Sequence, residues 1–122
     1  MKLPGPDHPI AIAPSRERVR VMLNGRAVAD SRRALVLQEA AYKPVFYIPR
    51  EDADMTLFEL TAHGTHCPYK GDASYWSLRT EGSATVPDIA WSYEKPYDEV
   101  RRIAGYRSFL GDAVTVDVAD PG

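Results

Sequence analysis

Two short alternating runs, Val19 to Leu23 and Arg26 to Ala29, stand on either side of Asn24-Gly25. Asn-Gly accepts the two positive φ angles of the turn whose twist matches that of paired strands, so this stretch predicts a β-hairpin. The same alternation returns along the chain. Phe46 and Ile48 alternate with Val45 and Tyr47; Ser74, Trp76 and Leu78 alternate with Ala73, Tyr75, Ser77 and Arg79. Ile89, Trp91 and Tyr93 precede Lys95-Pro96, and Val114, Val116 and Val118 form a last run. A period of two sends successive side chains to opposite faces of a sheet. The expected fold is therefore mostly β, a β-rich α+β arrangement in one compact domain. A curved sheet or open barrel wraps a cavity, with one or two short helices attached.

Asp30 or Ser31 can cap one helix, over about Arg32 to Ala41, with Ala34, Leu37 and Ala41 along one side and Lys43-Pro44 as its stop. Pro96 starts a second, with Asp98 and Glu99 in its first turn and Arg101 and Arg102 ahead of Gly105. Met55, Leu57, Phe58 and Leu60 fit a helical turn or a short strand equally well. Residues 1–15 carry Pro4, Gly5, Pro6, Pro9 and Pro14 and read as an irregular arm, with His8 an exposed side chain. Residues 16–119 form the β-rich domain and 120–122 a tail.

A length of 122 residues suits a single core. The lone Cys67 cannot form an internal disulfide, and no early charged-then-apolar segment resembles a secretion signal, so a cytoplasmic location is expected. Fifteen basic and seventeen acidic residues leave a net charge of −2, which offers no general attraction for a phosphate backbone. Nucleic acid is not an expected partner. Nor is a membrane, because the apolar runs fall far short of the ~20 residues that cross a bilayer. Arg16, Arg18 and Arg20 alternate as the solvated face of an edge strand would. All twelve aromatic residues lie between Tyr42 and Phe109, so the large buried groups are expected from the middle and end of the chain.

The segment His66-Cys67-Pro68-Tyr69-Lys70-Gly71 places the only cysteine three residues before a lysine, across a turn punctuated by Pro and Gly. Nearby positive charge favours thiolate over thiol, so Cys67 is a candidate nucleophile; the competing reading is a thiol lining a pocket, as cysteine is among the most buried residues. Lys70 is the second candidate catalytic residue, either an amine nucleophile or a point charge for a carboxylate or phosphate. Glu39 and Arg50 can form an ion pair or separately contact a polar ligand. Tyr47, Tyr75, Trp91 and Tyr93 come from three predicted strands and offer stacking surface and hydrogen-bonding groups to one cavity. His63, His66 and Cys67 fall one ligand short of a closed zinc site, and adjacent residues of a strand point to opposite faces. No metal and no cofactor are expected.

In order along the chain stand Val28-Ala29-Asp30-Ser31, Leu37-x-Glu39, Pro44-Val45-Phe46-Tyr47-Ile48-Pro49-Arg50-Glu51-Asp52, Cys67-Pro68-Tyr69-Lys70-Gly71-x-Ala73-x-Tyr75 and Ala90-Trp91-Ser92-Tyr93-x-x-Pro96. With these five blocks the chain resembles the domain of unknown function 427 family over nearly its whole length. Lys43 stands where a second proline often precedes Pro44, and Phe46 where tyrosine is common. The resemblance implies a compact, mostly β domain and a site drawn from Glu39, Tyr47, Arg50, Cys67, Lys70, Tyr75, Trp91 and Tyr93, and it implies no known reaction. The family sometimes carries a nucleotidyltransferase-like label, yet this chain has no Gly-rich phosphate loop and no obvious paired-Asp motif for magnesium.

The leading expectation is a domain that binds a small polar or anionic molecule, held by Lys70 and Arg50 and covered by the tyrosines and Trp91. One alternative is an enzyme with Cys67 or Lys70 as covalent nucleophile and Glu39 or Tyr75 as acid or base. Another is an interaction module whose aromatic residues fill a dimer interface, making the chain a homo-oligomer.

Overall fold

The hairpin predicted at Asn24-Gly25 forms: strands β2 (Arg18–Leu23) and β3 (Arg26–Ser31) pair antiparallel, and Asn24 and Gly25 take φ values of 50° and 80°. On one face of β2, Val19, Val21 and Leu23 are buried; on the other, Arg18 forks onto Asp30 across the hairpin at 2.8 and 2.5 Å. This is a computed structural model, and it describes residues 1–82, 84–109, 111 and 113–119. The expected tail at 120–122 lies outside the described residues.

Among the described residues, three antiparallel sheets make up a mostly β fold that does not close into a barrel. Strand β1 (Ile10–Pro14) pairs with β4 (Leu35–Glu39), which pairs with β5 (Val45–Tyr47). The β2–β3 hairpin is extended on its β2 side by β10 (Val114–Ala119). The third sheet runs β6 (Phe58–Cys67), β7 (Gly71–Leu78), β8 (Val86–Ser92) and β9 (Arg107–Phe109). The first and third sheets are stitched together where Ile48 and Arg107 exchange backbone hydrogen bonds of 2.8 and 2.7 Å.

Two expectations are corrected. The segment from Arg32 to Ala41 is not a helix. The Ser31 hydroxyl does accept the Arg33 N–H at 3.1 Å, as a cap would, but the turn goes no further. Leu35-Val36-Leu37 then alternates, and a strand there gains ladder hydrogen bonds from β1 on one side and β5 on the other. Ala40, at φ 48°, ends it. The N-terminal arm is irregular only through Pro9, because Ile10–Pro14 forms the edge strand β1, with Pro14 at its last position where a missing N–H is tolerated.

The segment after Pro96 winds as a 3₁₀ helix, Asp98–Ile103, broken at Val100 (φ −127°, ψ 23°). Its buried residues, Val100 and Ile103, are three apart, matching the 3₁₀ period of three. Two shorter 3₁₀ turns occupy Arg50–Asp52 and Met55–Leu57, the latter running straight into β6.

Two apolar clusters result. One lies between the β2–β3 hairpin and the third sheet and includes Val19, Val21, Val28, Ile48, Leu78 and Ala90. The early part of the chain thus supplies aliphatic bulk to the core even though it holds no aromatic residue. The second cluster, around Leu37, Tyr47, Ala73, Tyr93, Val100 and Ile103, forms one wall of the site. Arg107 is buried at the join of the sheets, with its guanidinium 4.5 Å from the Trp76 ring and Nη1 donating to Glu94 and to the Gly105 carbonyl, both at 2.8 Å. Burial pulls its pKa below the ordinary value, and Glu94 opposes that pull.

Candidate functional site

The Cys67-to-Gly71 segment closes the β6–β7 hairpin, with Cys67 and Gly71 as the last paired residues. Gly71 adopts φ +106°, which an L side chain resists. The turn is tied from both sides: the Lys70 carbonyl accepts the Tyr97 N–H at 3.0 Å and the Pro68 carbonyl accepts the Lys2 N–H at 2.7 Å. Held in this way, Lys70 points inward with its side chain about 10% exposed.

Its ammonium donates to Glu39 Oε1, and Glu39 Oε2 lies 2.7 Å from His8 Nε2. Burial alone raises the pKa of the Glu39 carboxyl, but the hydrogen bonds from Lys70 and His8 overcome it and hold the group below its usual value. His8 is not the exposed side chain expected from the arm. Its ring stacks on Tyr69 with centroids 3.9 Å apart and planes 6° from parallel, so the arm holds the turn through His8 as well as Lys2.

Lys70 and Glu39 form the polar end of a cavity of ≈ 190 Å³. Its walls are Leu37, Val45, Tyr47, Tyr75, Trp91 and Tyr93. Tyr75 and Trp91 face each other across the β7–β8 ladder. The Trp91 indole N–H donates to the Tyr47 hydroxyl at 3.3 Å, and the two rings meet edge to face at 88°. Lys70 Nζ lies 6.0 Å from the Tyr93 ring, at the outer reach of a cation–π contact. The Tyr75 hydroxyl pairs with Thr65 Oγ1 at 3.1 Å. Burial pushes the Tyr47 phenol up to about 12 and raises Tyr93 as well, so both stay protonated at neutral pH.

Six of the eight residues singled out in the sequence therefore meet around one space: Glu39, Tyr47, Lys70, Tyr75, Trp91 and Tyr93. Cys67 sits beside it, half-buried against the second apolar cluster, and is not among the lining residues. Arg50 is exposed at the start of its 3₁₀ turn and does not line the cavity. The partner of Glu39 is Lys70 rather than Arg50. His63 and His66 lie exposed on β6, where His66 Nδ1 engages Asp72 at 2.7 Å and His63 leans on Tyr75.

His8 is the site residue that sequence reasoning missed. A histidine in a Pro/Gly-rich arm carries no periodic signal, and only the three-dimensional return of the arm to β4 and the turn reveals its partner. Val45 was legible as an apolar strand residue and Leu37 as an apolar residue of the expected helix, neither as a cavity wall.

A family model described as a domain of unknown function, DUF427, matches residues 11–120. No curated protein matches the sequence. No helix among the described residues is long and apolar enough to cross a membrane. Because the match spans nearly the whole chain, the protein belongs to the domain of unknown function 427 family.

Proposed function

We propose that this domain binds a small polar molecule in the cavity between Lys70 and Trp91. The observation that carries the reading is the ion pair of Lys70 with Glu39 at one end of a space otherwise walled by three tyrosines, a tryptophan and two aliphatic residues. Such a mixture of apolar wall and a few convergent polar groups is what small-molecule sites present.

The charge balance narrows the ligand. Lys70 is already neutralised by Glu39, and Arg50 lies elsewhere, so among the described residues the cavity offers no free cation to an anionic group. An anion would have to share Lys70 with a carboxylate only a few ångströms away. A neutral molecule faces no such cost: it accepts from the ammonium, donates to the carboxylate or a tyrosine oxygen, and rests its ring or chain on Trp91. The volume is below the roughly 300–1,000 Å³ of pockets for drug-sized ligands, which favours a single-ring compound.

The binding reading also accounts better for Lys70 than nucleophilic catalysis does. A nucleophile must be aimed at its electrophile, and the Lys70 nitrogen is instead directed onto the Glu39 carboxylate. Calorimetric titration of phenol, 2-pyridone and benzoate tests the reading. The neutral compounds should bind more tightly than benzoate, and Trp91→Ala should weaken them at least tenfold. Tighter binding of benzoate, or indifference to Trp91→Ala, counts against it.

A further inference from the structure

Most strand edges of this fold are blocked. The free side of β1 ends in Pro14, and its Ile12 carbonyl is taken by Arg102 at 2.8 Å. Strand β3 is covered by the Ala29–Ala53 bridge and by the Asp54 N–H on the Val28 carbonyl. Strands β5 and β9 lie against each other through Ile48 and Arg107. Strand β6 is interrupted by a register shift between Leu60 and Gly64 and carries Glu59, His63 and His66. Bulges, prolines, charges and covering segments are the usual means of preventing edge pairing.

Strand β10 has none of these except one charge. It pairs with β2 without a register shift, and among the described residues nothing pairs with its other side. Val116 and Val118 are 40% and 36% exposed, although valine at these positions faces the same side as the buried Val19 and Val21. With Phe46 and Phe109 they line an apolar groove of ≈ 300 Å³ at the open side of the core.

We propose that this edge is covered by a second copy of the chain, through antiparallel pairing of β10 with β10 about a twofold axis at Val116. The strand's own pattern is symmetric about that point: Val114-Thr115-Val116-Asp117-Val118. In this register Val114 stands opposite Val118 of the second copy, and Val116 opposite Val116, giving three apolar cross-strand pairs on the groove face. On the outer face Asp117 stands opposite a threonine, so no like charges meet, and each Asp117 keeps Arg20 of its own β2 as ladder neighbour. The pairing joins two three-stranded sheets into one of six strands. Trp91 and Val45 line both this groove and the cavity of the candidate site, so the second copy also buttresses the cavity wall.

Sedimentation equilibrium across micromolar to near-millimolar concentration tests the pairing. The wild-type chain should reach twice its 13.6 kDa mass, and Val116→Lys should weaken the dimer at least tenfold. As a check independent of that variant's folding, Val116→Cys in a Cys67→Ser background should give a disulfide-linked dimer on mild oxidation. Glu59→Cys, on the bulged edge of β6, should not. A monomer at every concentration overturns the proposal, including the case in which the edge serves some other extended peptide. So does a dimer unaffected by Val116→Lys, or equal cross-linking at both cysteine positions.

Discussion

Lys70 and Glu39, 31 residues apart in sequence, form an ion pair in which the two side chains are only 10% and 14% exposed. The pair joins the β6–β7 turn to the end of β4 and sets the polar end of the cavity. Because water is largely excluded, removing one partner leaves the other charge poorly compensated.

Lys70→Met and Glu39→Gln should each destabilise the fold by about 1–3 kcal/mol, as expected for a lost hydrogen bond to a charged group. The double variant should cost less than the sum of the two, since neither charge is then stranded. Urea denaturation of the four proteins measures the coupling. Strictly additive losses would mean that the pair contributes nothing as a pair.

The Glu39 carboxyl has a folded pKa below its unfolded value near 4.3, so its contribution is complete above that value and is lost as pH falls through the folded pKa. The stability difference between wild type and Glu39→Gln should be steady from pH 8 to 6 and shrink below about pH 4. Thermal melts across this range check it. A difference that widens in acid contradicts the assigned direction.

The opposite sign applies to Tyr47 and Tyr93, whose buried phenols have folded pKa values above the usual 10. Their contribution is present below about pH 10 and is lost as pH rises through the folded values. Ultraviolet titration of the wild type against Tyr47→Phe and Tyr93→Phe, with the fold verified by circular dichroism, should show that each variant loses absorbance change only well above the usual phenol midpoint of about 10. A loss near the ordinary midpoint in the folded protein would place these two hydroxyls in water.

Gly71→Ala forces a side chain into φ +106° at the turn that aims Lys70. Space is not the obstacle, since the added carbon would meet its nearest neighbours at 3.7 Å. Backbone strain should therefore cost about 1–3 kcal/mol. A loss of that size by chemical denaturation is expected, and an unchanged midpoint would show that the turn tolerates a side chain there.

Much of the sheet structure could be read from alternation, because the β2–β3 hairpin and strands β5, β7, β8 and β10 each repeat apolar or aromatic residues with a period of two. Strand β4 could not. Its five residues lie between two neighbouring strands, and the Ala34, Leu37 and Ala41 spacing fits a helix face equally well until those neighbours are known. Residues Tyr47, Tyr75, Trp91 and Tyr93 announced themselves as aromatic groups on three predicted strands, and Lys70 by its turn. Arg50 misled because it lies beyond β5, exposed in the 3₁₀ turn Arg50–Asp52 and outside the cavity lining. His8 and Arg107 left no trace in the pattern, since each acquires its role only from side chains distant in sequence.

The two tryptophans make the most direct test of a ligand in the cavity, because Trp91 lines it and donates to Tyr47 while Trp76 is bound to Ser92 at 2.9 Å beneath Arg107. Their indole N–H signals, assigned with Trp91→Phe, can be followed by ¹H–¹⁵N NMR during titration with phenol and 2-pyridone. Binding in the cavity predicts a saturable shift of the Trp91 signal with Trp76 little moved, and loss of that response in Tyr75→Ala. A response confined to Trp76, or none from either probe at millimolar concentration, would contradict a small-molecule site between Lys70 and Trp91.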